Sequence, residues 1–257
     1  MTATGEAAAI REILLVDPGW SLYALGDLAP GYFEKCEWHR AAAALAAVYR
    51  GATPPVLFAT GDPGVVAGLV AEIGDPELSL HVRPEVAGAI EPVYRSVGLR
   101  PVWRMLLDSA RFRPEACAGA ARLTAADVAA IEHLFADGRD THEAPDFFFP
   151  NMVTDGVFFG VREGDELVAV AGTHLAVASE GVGAIGNVYT RRDHRGRGLG
   201  GALTSAVTSE LVAMGIRIVG LNVLHSNRAA ARVYERLGFR RYCTYFDGKA
   251  VRNRPRT

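Results

Sequence analysis

Between positions 191 and 201 the chain crowds Arg191, Arg192, Arg195 and Arg197 against Gly196, Gly198, Gly200 and Gly201. Glycines remove the Cβ atoms that keep a backbone away from a ligand. A helix beginning here adds unpaired N–H groups and the positive end of its dipole. With the arginines, such a run suits the holding of a pyrophosphate. The plainer alternative is a glycine turn with solvated arginines. Glycines weaken a helix start, however, and that cost has no return unless an anion binds. Gly196-x-Gly198-x-x-Gly201 also matches the dinucleotide fingerprint, which wants an acidic residue about 20 positions on, at the end of the next strand. The strand expected over 216–224 contains no Asp or Glu, so a nicotinamide or flavin cofactor is disfavoured. A Walker loop is excluded, because no Gly-Lys-Ser/Thr follows.

A second group follows downstream: Asn227, Ala230, Tyr234 and the pair Gly238-Phe239. Residues seven apart in a helix lie nearly two turns on at about the same azimuth, so Asn227 and Tyr234 share a face with Ala230 between them. A small residue there lets a slender ligand pass close to the helix. Asn227 can cap the helix or bind an amide of the ligand. Tyr234 is either a half-buried core tyrosine or a proton donor. Gly238 suits the residue just past a helix end.

Arg195-x-x-Gly198-x-Gly200 resembles the acetyl-coenzyme A signature of the GCN5-related N-acetyltransferases. Asn227-x-x-Ala230-x-x-x-Tyr234-x-x-x-Gly238-Phe239 resembles that family's following helix, and Ile185-Gly186-Asn187-Val188-Tyr189-Thr190 is similar to the splayed fourth strand of its FR47-like branch. The specific resemblance covers about residues 183–240. More loosely, the first half resembles the degenerate amino-terminal half of two-half members. The resemblance implies acetyl (or other short acyl) transfer from acyl-coenzyme A to an amine by direct attack. Val188, Tyr189 and Thr190 would then present backbone groups to the pantetheine arm and thioester, with Val188 at the reacting carbonyl. Arg195, Gly196, Arg197, Gly198, Leu199 and Gly200 would hold the pyrophosphate. Asn227 and Ala230 would border the cofactor, and Tyr234 would protonate the departing thiolate.

An alkyl amine is mostly protonated at neutral pH, so a base would help the acceptor. Glu143, Asp146 and His174 stand on elements expected near the acceptor side, whereas His142 and His194 read as loop residues. Phe147-Phe148-Phe149-Pro150 is a core plug or a wall of the acceptor pocket. No metal-ligand spacing occurs. The acceptor stays open as a small molecule or a peptide. A catalytically silent sensor of acyl-coenzyme A is the competing reading.

The elements that must position these residues fall into two halves, expected as 1–113 and 114–257. Each is expected as an α/β (α+β) unit, a mixed and mostly antiparallel sheet flanked by helices, and the second is complete. The shared order is hairpin, strand, helix, strand, helix, strand. The second half opens with a capping box at Thr124-Ala125-Ala126-Asp127 and a helix stopped by Gly138. A hairpin turns at Glu163-Gly164-Asp165, and a helix over 200–214 has Leu203, Val207, Leu211 and Met214 on one stripe. In the first half a helix is expected over 85–97, stopped by Gly98, with a strand over 32–40. The turn there that corresponds to the glycine run, Thr60-Gly61-Asp62-Pro63-Gly64, carries an acid and no arginine, so a second coenzyme site is not expected.

Composition bounds the rest. Across 257 residues, 49% are hydrophobic and 22% charged, the profile of a globular chain. With 27 basic against 29 acidic residues the net charge is -2, which leaves no basic footprint for nucleic acid. Cys36, Cys117 and Cys243 are scattered and fit reduced thiols. No apolar run spans a membrane, and Glu6 and Glu12 make the start a poor signal peptide. A cytoplasmic location is expected.

Overall fold

A computed structural model describes residues 3–253 except His142 and Asp146. Along the chain run α1 (Ala3–Leu14), α2 (Leu22–Gly26), β1 (Cys36–Ala41), β2 (Ala44–Tyr49), β3 (Val56–Thr60), α3 (Pro63–Ala71), β4 (Glu77–Val82), α4 (Pro84–Ile90) and β5 (Tyr94–Leu107). Then follow β6 (Ala120–Arg122), α5 (Val128–Ala136), α6 (Asn151–Asp155), β7 (Phe159–Glu163), β8 (Glu166–Val177) and β9 (Val182–Thr190). The chain finishes with α7 (Leu199–Ala213), β10 (Ile218–Leu224), α8 (Arg228–Leu237) and β11 (Phe239–Arg252).

The chain divides into two compact units, Met1–Arg104 with Val223–Asn227 and Arg241–Thr257, and Met105–Asn222 with Arg228–Arg240. In the first unit the strand order is β1-β2-β3-β4-β11-β5. Neighbours β1/β2 and β2/β3 are antiparallel, and β3/β4 is parallel across the crossover helix α3. In the second unit the order is β10-β9-β8-β7-β6, antiparallel except for β9/β10, which is parallel across the crossover helix α7. Each unit therefore contains the same succession, a hairpin feeding a strand, a helix and a parallel strand. A parallel neighbour requires such a crossover. The division does not fall as one cut at 113/114: β11 from Arg241 onward counts with the first unit, where Phe246↔Val82 to Val251↔Glu77 pair it antiparallel to β4.

Alternation builds both cores. In the first unit Leu57, Ala59, Leu78, Leu80 and Val82 meet Val66, Leu69 and Val70 of α3. In the second, Leu167, Val170 and Tyr189 meet Ile131, Leu134 and Phe135 of α5. On α7, Leu203, Val207 and Leu211 are fully buried, but Met214, expected on the same stripe, is 42% exposed at the helix C-cap. The helix expected over 85–97 ends at Ile90, since Pro92 has no N–H to continue it and Val93, Tyr94 and Val97 favour a strand. Gly98 accordingly sits inside β5 at φ 63°. The strand expected from residue 32 starts at Cys36, after a single 3-10 turn over Phe33–Lys35.

Two local expectations reappear as chemistry. Thr124 N–H donates to Asp127 Oδ2 at 2.8 Å, closing the N-terminal side of α5. Gly138 follows α5, but its backbone is not left-handed. A Cβ there would lie 2.4 Å from the Tyr189 hydroxyl, so glycine is needed for close approach rather than for a turn.

Candidate functional site

The glycine run is the entry to α7. Arg195 is extended, Gly196 is left-handed at φ 79°, and Gly198 at φ 77° is the N-cap. No side chain caps this end. The first helical bond is Ala202 N–H to Gly198 O at 3.1 Å, which leaves the N–H groups before it without an intrahelical partner. A Cβ at Gly196 or Gly198 would meet nothing within 4 Å. The glycines are thus required by backbone conformation, and the space in front of them is open. Gly201 differs: its Cβ would lie 2.9 Å from Val233 Cγ1, so glycine lets α7 and α8 pack closely.

Each arginine of the run meets a carboxylate. Arg195 bonds Glu143 at 3.1 Å and donates to Thr190 O at 3.2 Å. Arg197 bonds Glu163 at 2.9 Å, Arg191 bonds Asp193 at 2.8 Å, and Arg192 reaches Asp137 at 3.4 Å. His194, expected as a loop residue, is only 4% exposed and lies between Glu163 at 2.9 Å and Asp193 at 2.5 Å. Those two carboxylates, Glu163 foremost, raise its pKa above the ordinary imidazole value.

β9 supplies the neighbouring wall. Its pairing with β10 runs from Val182↔Ile218 to Ile185↔Leu221, whereas β9 itself continues to Thr190. Over that last stretch the edge that faced β10 has no pairing with it. On the other side, Val170↔Tyr189 and Gly172↔Gly186 put Asn187 and Val188 opposite the single residue Ala171, a bulge in which Asn187 is left-handed at φ 53°. Val188 and Thr190 point to the start of α7: a Cβ on Gly200 would lie 3.8 Å from Val188 Cγ1 and 3.6 Å from Thr190 Oγ1. Tyr189 points the other way, into the core, with its hydroxyl donating to Asp137 at 2.8 Å. Only its backbone is therefore offered to a ligand.

Tyr234 stands on α8, 9% exposed, its ring 6.3 Å from Phe239 in a T-shaped contact. Burial pushes its phenol up to about 12, so it is fully protonated at neutral pH. Ala230 is half-buried one turn before it, and Asn227 is exposed just ahead of the helix, its N–H donating to Leu224 O at 2.9 Å. Gly238, expected only as a helix stop, has φ 104° and also brings backbones together: a Cβ would lie 2.9 Å from the Arg111 carbonyl.

Of the expected bases, Asp146 lies outside the described residues, as does His142. Glu143 is engaged by Arg195 and Thr141, and Arg195 foremost holds its carboxyl below the usual range, which makes it a poor base. His174 sits where β8 also breaks register, its ring packed on Gly186 and edge-on to Phe147 at 5.5 Å. Phe147, Phe148 and Phe149 pack on the second core. In the first unit, the turn that corresponds to the glycine run is filled from within: Asp62 Oδ1 accepts from Gly64 N–H at 2.9 Å and Val65 N–H at 3.0 Å. Among the described residues no group of His, Cys, Asp and Glu could hold a metal, and no helix is long and apolar enough to cross a membrane.

The acetyltransferase (GNAT) family matches residues 125–239, which include the glycine run and α8. Mycothiol acetyltransferase of Actinosynnema mirum is 33% identical over 243 residues, 89% of this chain and 75% of that protein. Mycothiol acetyltransferase of Streptomyces scabiei is 42% identical over 87 residues, 34% of this chain, and the chain spans only 28% of that relative's length. Among solved structures, the GCN5-related N-acetyltransferase from Kribbella flavida superposes with a TM-score of 0.62 at 21% identity, over 91% of this chain and 93% of the other, a likeness of fold. With a relative of this identity aligned along most of both chains, and with the glycine run inside the matched segment, the chain belongs to the acetyltransferase (GNAT) family.

Proposed function

We propose that the protein is an N-acyltransferase that moves an acetyl group, or another short acyl group, from acyl-coenzyme A to the amine of a small molecule. The observation that carries this reading is the open, doubly left-handed loop Gly196–Gly198 at the uncapped N-terminus of α7. Its N–H groups suit a pyrophosphate, with Leu199 and Gly200 continuing the cradle and Arg195 and Arg197 at its rim. Exposed ion pairs are worth little, so the carboxylates on those arginines can give way to an anion.

Bound there, acetyl-coenzyme A supplies an activated acyl carbon and a thiolate leaving group. The unpaired edge of β9 offers backbone groups of Val188 to Thr190 along the path from the loop, and an N–H at Val188 would stabilise negative charge on the acyl oxygen. Ala230 on α8 borders that path, with Asn227 just ahead of the helix. Tyr234 keeps its proton at neutral pH and gives it to the departing sulfur. His174 best suits the removal of a proton from the amine, since Glu143 is held by Arg195. The relatives' name, mycothiol acetyltransferase, supports an amine-bearing small molecule as acceptor.

Thermal melts with coenzyme A and with NAD, followed by mass spectrometry of an amine library incubated with acetyl-coenzyme A, test the reading. Coenzyme A at about 100 times its Kd adds about 2.7 kcal/mol of stability. A shift with NAD alone overturns the assignment. Coenzyme A binding without acylation of any amine replaces it with a sensor.

A further inference from the structure

Asn187 combines features that the donor site does not use. It holds a left-handed backbone at φ 53° in the bulge of β9, immediately before Val188. Asparagine tolerates that conformation better than most residues, which accounts for the backbone but not for the side chain. The side chain is 4% exposed, and its Nδ2 meets Met152 Sδ at 3.5 Å, a weak partner. Its Oδ1 is buried without a hydrogen-bond partner among the described residues. A buried acceptor left unmade costs folding stability, and such groups call for an explanation. Val188 and Thr190 face the α7 loop, whereas Asn187 faces α6 and the core on which Phe147 and Phe149 pack. The His174 ring lies over Gly186, the residue before it.

We infer that the Asn187 side-chain oxygen receives an N–H of the amine acceptor and so sets the amine beside Val188. The proposal rests on the acyltransfer reading and adds the acceptor's anchor. An amide oxygen only accepts, so the group it suits is a donor such as an amine. Met152 packs against the same amide through its nitrogen, and its unbranched thioether readily changes rotamer, so the amide can be uncovered when the acceptor enters.

The test compares Asn187→Gly, which keeps the left-handed backbone and removes the side chain, with Asn187→Asp, which keeps an acceptor oxygen. The acceptors are alkyl monoamines, diamines, amino acids and aminoglycosides, with acetyl-coenzyme A as donor. For an amine that the wild type acetylates, Asn187→Gly is expected to raise the acceptor KM about tenfold, the loss of one hydrogen bond. Its kcat and coenzyme A affinity should stay within about twofold, and Asn187→Asp should restore most of the KM. Unchanged acceptor KM in a folded Gly variant overturns the inference and leaves the acyltransferase intact. A Gly variant that loses coenzyme A affinity instead shows a residue that shapes the donor site, and also overturns it. If the Gly variant does not fold, Asn187→Asp decides: an acceptor KM raised tenfold despite the retained oxygen counts against the inference, and a near wild-type KM supports it. A wild type that acetylates no amine overturns the function and the inference together.

Discussion

Replacement of Gly198 separates the backbone's demand from the ligand's. At φ 77° any L-residue pays for the left-handed conformation, about 1–2 kcal/mol. No atom lies within 4 Å of the Cβ position, so no overlap adds to that cost. Against a typical stability of about 5–15 kcal/mol the fold survives. At about 2–4 °C per kcal/mol for a chain of this size, melting falls by about 2–8 °C. Gly198→Ala and Gly198→Val should both stay folded, with valine melting somewhat lower because a β-branched residue fits the left-handed region worse. They should differ in coenzyme affinity. Valine fills the cradle and blocks the loop's N–H groups. Loss of two charge-assisted hydrogen bonds at about 1.5–3 kcal/mol each lowers affinity by at least about 10²-fold. Alanine adds one carbon and should cost about tenfold. Titration calorimetry on the two folded variants reads the difference. A folded valine variant with wild-type affinity would refute the reasoning, because the ligand would then not approach the loop.

Tyr234→Phe should lower kcat by about 10²-fold with coenzyme A affinity nearly unchanged; with its phenol at about 12, wild type should show no alkaline limb from this residue below pH 10, and an unchanged kcat assigns the proton to another donor. His194 has a raised pKa through Glu163 and Asp193, so its protonated form stabilises the fold below the unfolded imidazole value, and that contribution fades as pH rises through the raised one. The melting difference between wild type and His194→Gln should therefore shrink from pH 6 to pH 9, and a difference that grows contradicts the pairing. Coenzyme A should bind once per chain, since Asp62 already fills the corresponding helix start in the first unit, and Asp62→Ala should cost about 1 kcal/mol of stability without touching that stoichiometry.

The sequence carried its clearest signals where local chemistry alone decides. Gly198 at the start of α7, the hairpin turn at Gly164 and the Thr124–Asp127 bond each depend on residues within a few positions. Legibility failed where a distant partner rules. β11 runs on to Arg252 because residues 246–251 pair with β4, far back in the chain. Gly138 reads as a helix stop until Tyr189 is seen against it. His194 reads as a loop residue because nothing local announces Glu163, which ends β7 some 31 positions earlier. The bulge at Asn187 leaves no trace in an alternating strand pattern, since one extra residue on β9 shows only against the register of β8.

The arginines of the glycine run also bear on how fast an anion can arrive. Arg191, Arg192, Arg195 and Arg197 stand among Asp137, Glu143, Glu163, Glu166 and Asp193, so the positive charge of the run is offset by neighbouring carboxylates. Charges offset in this way project little positive field beyond a Debye length of about 8 Å at physiological salt. Long-range steering, which accelerates charged encounters and collapses with ionic strength, is therefore weak here. On the proposed reading, capture of an anion falls to the fixed N–H groups at short range. An anionic ligand should associate at an ordinary diffusive rate with a shallow dependence on salt, and the affinity of the loop should reside mainly in slow dissociation.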